Sequence, residues 1–393
     1  MNISVVGSKC LGCRACEQIC PTRCIKFSEN EEGFNYPLIN GEECINCDKC
    51  SKVCPILKEP NFGEIKEVYA GWVKRKDLIK KSSSGGIFSA LAKLILNEKG
   101  KVYGCAYNDE LFPVHISVDK EEELFRLQGS KYVESDIKNI YSDIKNQIEV
   151  GKKVLFSGTP CQCAGLKNYL GKDYKNLYIV DIICHGVPSR KLFKSYIEYL
   201  EEKLKGKIVS FDFRNKEKHG WSLTYKYILA KGKKIKKYQG IASLSSYYYG
   251  FLAGFMYRES CYQCPFANPN RVSDITLGDF WGVENINPKN ANHLGVSAII
   301  VNTQKGKEFF KKISNEISYD KISFEMVTKQ NSNLLYPTPR GKNRDLIYND
   351  FINYGYKYIA EKYLQTPHYF LEVIKSLIPN LLRKKIKRII KRK

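Results

Sequence analysis

Eight cysteines near the start of this chain repeat one pattern: Cys10, Cys13, Cys16 and Cys20-Pro21, then Cys44, Cys47, Cys50 and Cys54-Pro55. Each member of the second set lies 34 residues after its counterpart. C-x2-C-x2-C-x3-C-P is the bacterial ferredoxin run, whose fourth cysteine ligates the other cluster. A loop with a thiolate every third residue covers three corners of a cubane, and the fourth corner must come from elsewhere. The spacing therefore assigns Cys10, Cys13, Cys16 and Cys54 to one [4Fe-4S] cluster, and Cys44, Cys47, Cys50 and Cys20 to a second. Structural zinc also accepts four thiolates. Zinc modules, however, use separated cysteine pairs and have no role for a crossed Cys-Pro. Disulfides fit less well, because MNISVVGSK ahead of Cys10 has one positive charge and no apolar stretch of signal-peptide length.

Later in the chain come Cys105, Cys161, Cys163, Cys184, Cys261 and Cys264. Cys161 and Cys184 each follow an apolar strand-like run, where an open α/β sheet places its site. Cys261 and Cys264 form C-x2-C before Pro265. These four thiolates can converge on a third cluster, although spacing alone leaves ordinary core thiols as an equal reading. Cys24 and Cys163 match no ligand position and read as core thiols, and Cys105 receives no role. Ser82-Ser83-Ser84-Gly85-Gly86 opens a helix with free N–H groups and no Cβ to obstruct a phosphate. A serine cap on a flexible turn is the other reading. In the turn Gly129-Ser130-Lys131-Tyr132, Lys131 suits the N1 and C2=O edge of a flavin, or else is a solvated lysine. His185, directly after Cys184, suits proton donation, or is a strand-end ring held by backbone.

A scaffold must carry these residues. At 393 residues and 43% hydrophobic content, the chain has room for a ferredoxin unit and a sizeable second core. We expect an α+β/α/β architecture: a two-cluster ferredoxin domain over 1–60, a mixed α/β catalytic domain over 61–330, and a helical extension with a basic amphipathic tail over 331–393. Residues 55–67 read as a linker. Strands are expected at 68–73, 101–107, 113–118, 153–158 and 177–184. Helices are expected after Gly86 (apolar face Ile87, Leu91, Leu94, Ile95, with Gly100 as C-cap), through Ile137, Ile140, Tyr141, Ile144 and Ile148, from near Cys161, and over 189–204. Residues 207–238 read as an antiparallel excursion, and 296–303 as a return to the α/β alternation.

The net charge is +23, and residues 383–393 hold eight basic residues and no acid. No helix-turn-helix, RNP or zinc-finger pattern accompanies that charge, so nucleic acid is not an expected partner. Acidic electron donors or anionic substrates suit it. No apolar run reaches the length of a membrane span, which points to a cytoplasmic protein. In the final stretch Leu382, Ile386, Ile389 and Ile390 recur beside a cationic face. That composition suits an interfacial helix on the anionic inner face of a membrane, or a solvated basic terminus.

Behind the ferredoxin unit, the set SSSGGIFSALA, GSKYVES, FSGTPCQCAGL, DIICHGVPS and CYQCPFANPNRVSDITLGDFWG resembles the beta subunit family of coenzyme F420-reducing hydrogenase and formate dehydrogenase. The resemblance covers roughly residues 1–320, and chlorophyll-type reductases of plants and cyanobacteria are similar. It implies FAD near Ser83, Ser84, Gly85 and Gly86 and near Gly129, Ser130, Lys131 and Tyr132, with Gly158 and Thr159 beside them. It also implies a third [4Fe-4S] cluster on Cys161, Cys184, Cys261 and Cys264. Nothing identifies a deazaflavin pocket, and the PCQC and GDFWG wording is similar to a bacterial branch found with surface-polysaccharide genes. The expected function is that of an iron-sulfur flavoprotein oxidoreductase. Electrons enter from a ferredoxin-type donor or a reductase subunit, cross the clusters to FAD, and leave as hydride to a small organic substrate, with Lys131 and His185 as candidate catalytic groups. The reverse direction fits equally. A non-catalytic electron-transfer subunit serving a partner oxidoreductase is the alternative.

Overall fold

The computed structural model describes residues 2–286, 291–367 and 369–377. The two halves of the cysteine repeat fold alike. Each has a one-turn helix, Ala15–Ile19 or Lys49–Val53, entered from a left-handed residue, Arg14 or Asp48 (both φ 58°). Each helix ends where the fourth cysteine of its run, Cys20 or Cys54, turns extended. That break in helical geometry frees the fourth thiol from the three that precede it. Between the halves, β1 (Ile25–Glu29) and β2 (Asn35–Ile39) pair antiparallel.

Eleven further strands follow: β3 (Glu67–Val73), β4 (Lys101–Tyr107), β5 (Pro113–Val118), β6 (Val154–Gly158), β7 (Leu177–Ile182), β8 (Lys207–Asp212), β9 (Thr224–Lys231), β10 (Lys234–Ile241), β11 (Ile275–Asp279), β12 (Ser297–Val301) and β13 (Ile317–Lys321). Eight of them form one sheet in the order β13-β3-β12-β11-β7-β6-β4-β5. Its centre, β4, β6, β7 and β11, is parallel. Val154, Leu155 and Phe156 of β6 and Leu177, Ile179 and Val180 of β7 are buried, as strands covered on both faces must be. Strands β8, β9 and β10 make a separate antiparallel sheet, matching the expected excursion.

Three details depart from expectation. β12 runs antiparallel to both neighbours, β11 and β3. The described part of its connection from β11 carries only the single turn Val283–Ile286, too little helix for a parallel crossover. Gly100 is not the C-cap of the helix Ile87–Asn97. Lys99 takes the left-handed position (φ 58°), with Lys99 N–H bonded to Leu96 O (2.9 Å) and Gly100 N–H to Ile95 O (2.9 Å), a Schellman arrangement. Gly100 is needed instead because a Cβ there would meet the Lys153 carbonyl at 2.5 Å. The helices Lys76–Lys81 and Glu121–Arg126 were not expected, being short and weakly patterned.

Residues 344–362 clasp the other units. Ile347, Tyr348, Phe351 and Ile359 share a core with Tyr196, Tyr247 and Phe34 of the ferredoxin unit. Arg344 grips Glu32 with both terminal nitrogens, at 2.5 and 2.6 Å. The helix Tyr369–Leu377 is described, whereas the basic stretch 383–393 lies outside the described residues. Among the described residues no helix is long and apolar enough to cross a membrane.

Candidate functional site

The crossed cysteine sets meet as two cages. Cys10, Cys13, Cys16 and Cys54 line one small cavity with Ile3 and Phe27, and all four are buried. Cys20, Cys44, Cys47 and Cys50 line another, in which Cys47 is exposed. Cys24, expected as a core thiol, stands in this second cage, its sulfur 3.4 Å from that of Cys20. Burial pushes the thiols of Cys10, Cys13, Cys16 and Cys54 up. At Cys20 burial also raises the thiol, but hydrogen bonds with Thr22 and Cys24 outweigh it and bring the pKa to about 7. Among the described residues no three His, Cys, Asp or Glu side chains close on a single metal ion. A cubane, whose irons hold its thiolates apart, asks for a wider set, and an all-sulfur donor group suits iron-sulfur chemistry.

A third cysteine set opens onto a cavity of about 340 Å³ at the carboxyl ends of β6, β7 and β11. Cys161 enters from the helix Pro160–Leu170, which starts directly after β6. Proline at its first position and Gln162 at its third set that start, with Thr159 N–H donating to Gln162 Oε1 (3.0 Å). Cys184 follows β7, and Cys261 and Cys264 come from the turn around Glu259–Gln263. All four line this one cavity, and, beyond burial, charge on others of the set raises the thiols of Cys161, Cys184 and Cys261, so the set is convergent. Burial pushes Cys161 and Cys184 up to about 12. Naked thiolates are therefore disfavoured here, and a cationic iron centre would compensate them. Cys163 is buried in the core, its sulfur 3.9 Å from Val180 O.

Arg271, which sequence reasoning passed over, braces the C-x2-C segment. It donates to Phe266 O (2.8 Å), Ile182 O (3.2 Å) and the fully buried Asp181 (3.0 Å), tying the loop after Cys264 to the strand before Cys184. Its only sequence signal is a cation in a short loop preceding an apolar strand.

The same cavity is lined by Ser83, Ser84, Gly86, Gly129, Ser130, Lys131, Tyr132, Gly158, Thr159 and His185. Ser83 and Ser130 hydroxyls meet at 2.8 Å, joining the two glycine-led turns. Gly86 (φ 85°) starts the helix Ile87–Asn97, and no side chain caps that end. Gly85 departs from expectation: its N–H donates to Ser297 Oγ (2.9 Å), and an added Cβ would strike Gly71 O at 2.3 Å. Its N–H is engaged within the protein, and its missing Cβ lets it pack against β3. The Lys131 ammonium is engaged by the carbonyls of Gln128 (2.8 Å), Gly129 (3.2 Å) and Arg126 (3.3 Å). His185 is open to the cavity but walled by protein on its other sides, and that desolvation lowers its imidazole pKa.

Arg214 and Asp279 form the polar wall that sequence reasoning missed. Arg214 pairs with both oxygens of Asp279 (2.5 and 3.2 Å) and donates to Ser83 O (3.1 Å) and Tyr132 OH (3.3 Å). Trp221 Nε1 donates to Asp279 (2.7 Å) and its ring stacks on Trp281 at 4.4 Å. Asp279 and Trp281 belong to GDFWG, so that wording marks a cavity wall. A groove of about 1300 Å³ shares Gln128, Gly129, Ser130, Lys131 and Arg214 with this cavity and includes Lys80, Lys81, Lys216 and Lys218. Burial lowers Lys216 to about 7.

Residues 68–140 match the family model described as coenzyme F420 hydrogenase/dehydrogenase, beta subunit N-term, and residues 151–325 match its C-terminal counterpart. Residues 9–56 match a 4Fe-4S dicluster domain. No curated protein matches the chain. Among solved structures it is similar to a chain of the xenon-derivatised F420-reducing [NiFe] hydrogenase complex from Methanosarcina barkeri. The two share 17% identity over 77% of this chain and 94% of that chain, with a TM-score of 0.44.

Proposed function

Because the chain belongs to the coenzyme F420 hydrogenase/dehydrogenase beta subunit family, we propose that this iron-sulfur protein holds three [4Fe-4S] clusters and one FAD and reduces or oxidises a small organic substrate. The convergence of Cys161, Cys184, Cys261 and Cys264 on the cavity beside the Ser83 and Ser130 turns carries this reading. Bound there, clusters supply single electrons and a flavin exchanges them for a hydride. The protein's own part is to hold, connect and exclude water. Cys47 brings the outer cage to the surface, where a ferredoxin-type donor or a reductase subunit can dock. Cys13 rests on the helix that carries Cys161: a Cβ on Gly165 would lie 3.1 Å from its sulfur. Leu11 and Gly12, between two ligands of the inner cage, line the cavity itself. These contacts set the inner cage against the cavity wall.

The uncapped start of the helix Ile87–Asn97 and the lysines of the adjoining groove suit the diphosphate and adenosine end of FAD. His185 and Lys131 border the cavity, and His185 is our candidate for moving a proton to substrate. We keep the division 1–60, 61–330 and 331–393 as functional units, with the cationic stretch 383–393 reaching an anionic membrane from the cytoplasm. Anaerobic purification with iron, sulfide and flavin analysis tests the core of this: about twelve irons and one FAD per chain are expected. A colourless, zinc-loaded protein overturns it.

A further inference from the structure

Between the inner cage and the cavity lies an ion pair that neither needs for ligation. Arg258 is 0% and Glu134 8% exposed, and Arg258 Nη2 stands 2.7 Å from Glu134 Oε1. The guanidinium also donates to the carbonyls of Cys10 (3.3 Å) and Asn35 (2.5 Å). Glu134 presses on Gly12, where an added Cβ would sit 2.6 Å from Oε1, and it lines the cavity. Arg258 directly precedes the turn carrying Cys261, and its carbonyl accepts from Cys261 N–H (2.9 Å). Its guanidinium bonds the backbone of an inner-cage cysteine while its own backbone holds a cavity cysteine. One cationic residue thus touches two cysteine sets at once.

As a brace the pair is poorly made. Arg258 Nε and Glu134 Oε2 are buried without a hydrogen-bond partner among the described residues, and a buried pair with unmet atoms adds little stability. Its electrical effect is strong for the same reason, since little water screens it. The other cation at the inner cage, Arg14, faces two carboxylates, Glu17 (2.8 Å) and Asp136 (3.2 Å), where Arg258 faces one. Among the described residues the outer cage has no buried cation: Lys49 beside it is exposed to solvent.

We propose that Arg258, steadied by Glu134, sets the inner cluster at a higher reduction potential than the outer one, so that electrons arriving at the surface are drawn inward toward the cavity. This rests on the reading that clusters fill both cages. A fixed positive charge favours the reduced, more negative cluster. The step is one electron leaving the outer cluster as one reaches the inner, with no bond formed or broken.

Redox titration of the anaerobically purified full chain, followed by EPR, tests it, with signals assigned by their loss in Cys47→Ser (outer) and Cys261→Ser (cavity). In Arg258→Gln the inner midpoint moves negative while the outer stays. In Glu134→Gln it moves positive, and Arg258→Lys, which keeps the charge, stays near wild type. A brace alone cannot produce shifts of opposite sign. Unmoved midpoints, or shifts of the same sign, at wild-type iron content overturn the proposal. Should Arg258→Gln lose iron, Glu134→Gln decides alone, because it keeps Arg258 and the side-chain shape. A wild-type chain lacking inner-cage iron would instead refute the underlying reading.

Discussion

The ferredoxin unit and the cavity assemble the same donors by opposite routes. The two cages draw every cysteine from residues 10–54, on a pair of one-turn helices that repeat each other. The cavity draws Cys161, Cys184, Cys261 and Cys264 from the ends of two sheet strands and a distant turn. The ligands of both cages come from one local segment, although Cys13 also packs against Tyr141 and Phe156 of the core. A set of the second kind exists only while β6, β7 and the 258–271 segment stay in register. The cavity cysteines should therefore report on the fold of the core, and the outer-cage cysteines far less so.

The largest expected break in that contrast is Cys261→Ser. Iron analysis should show the loss of about one third of the metal with both cage clusters kept; wild-type iron would show that Cys261 holds nothing. Next is Arg271→Ala, which strands the fully buried Asp181. Removing one partner of such a pair costs about 3–5 kcal/mol. Urea unfolding of the core should shift by that amount, and cavity iron should fall before cage iron does. An unchanged midpoint would mean that the loop after Cys264 needs no tie to β7.

A smaller effect comes from His115, buried on β5 with its ring bonded to Ser157 O (3.2 Å) and Ser135 Oγ (3.2 Å). Burial lowers its pKa from 6.5 to about 4, so the unfolded chain takes up the proton first as pH falls. Core stability should drop by about 1.4 kcal/mol between pH 7.5 and 5.5, and His115→Gln should flatten that dependence in urea titrations. A slope surviving in the variant would assign it to other groups. The smallest effect is expected where the two regions touch. Gly165→Ala places a methyl 3.1 Å from the Cys13 sulfur and 3.0 Å from Tyr141 OH. It also gains about 1 kcal/mol of helix propensity, so net stability should move by less than about 1 kcal/mol. The EPR signal of the inner cluster should change while that of the outer does not. Equal changes in both would mean that the contact does not single out the inner cage.

The same contrast explains what the sequence disclosed. Cage ligands are read from spacing because their geometry is local, and the parallel strands are read from their apolar runs. The cavity cysteines are suggested by their place after strands, but their meeting depends on sheet order. Arg214–Asp279, Arg271–Asp181 and Arg258–Glu134 are invisible along the chain, since each joins residues 65 or more apart and a lone arginine looks like surface. Gly85 and Gly86 look interchangeable as letters, yet one packs on β3 and the other begins a helix. Cys24 gave no ligand signal, because it stands outside both C-x2-C-x2-C-x3-C runs.

The account stands on three separate four-cysteine sets, and anomalous diffraction at the iron edge from anaerobically grown crystals tests that most directly. It predicts three peaks, one among Cys10, Cys13, Cys16 and Cys54, one among Cys20, Cys44, Cys47 and Cys50, and one among Cys161, Cys184, Cys261 and Cys264. Two peaks confined to the ferredoxin unit, in crystals of fully loaded protein, would contradict it.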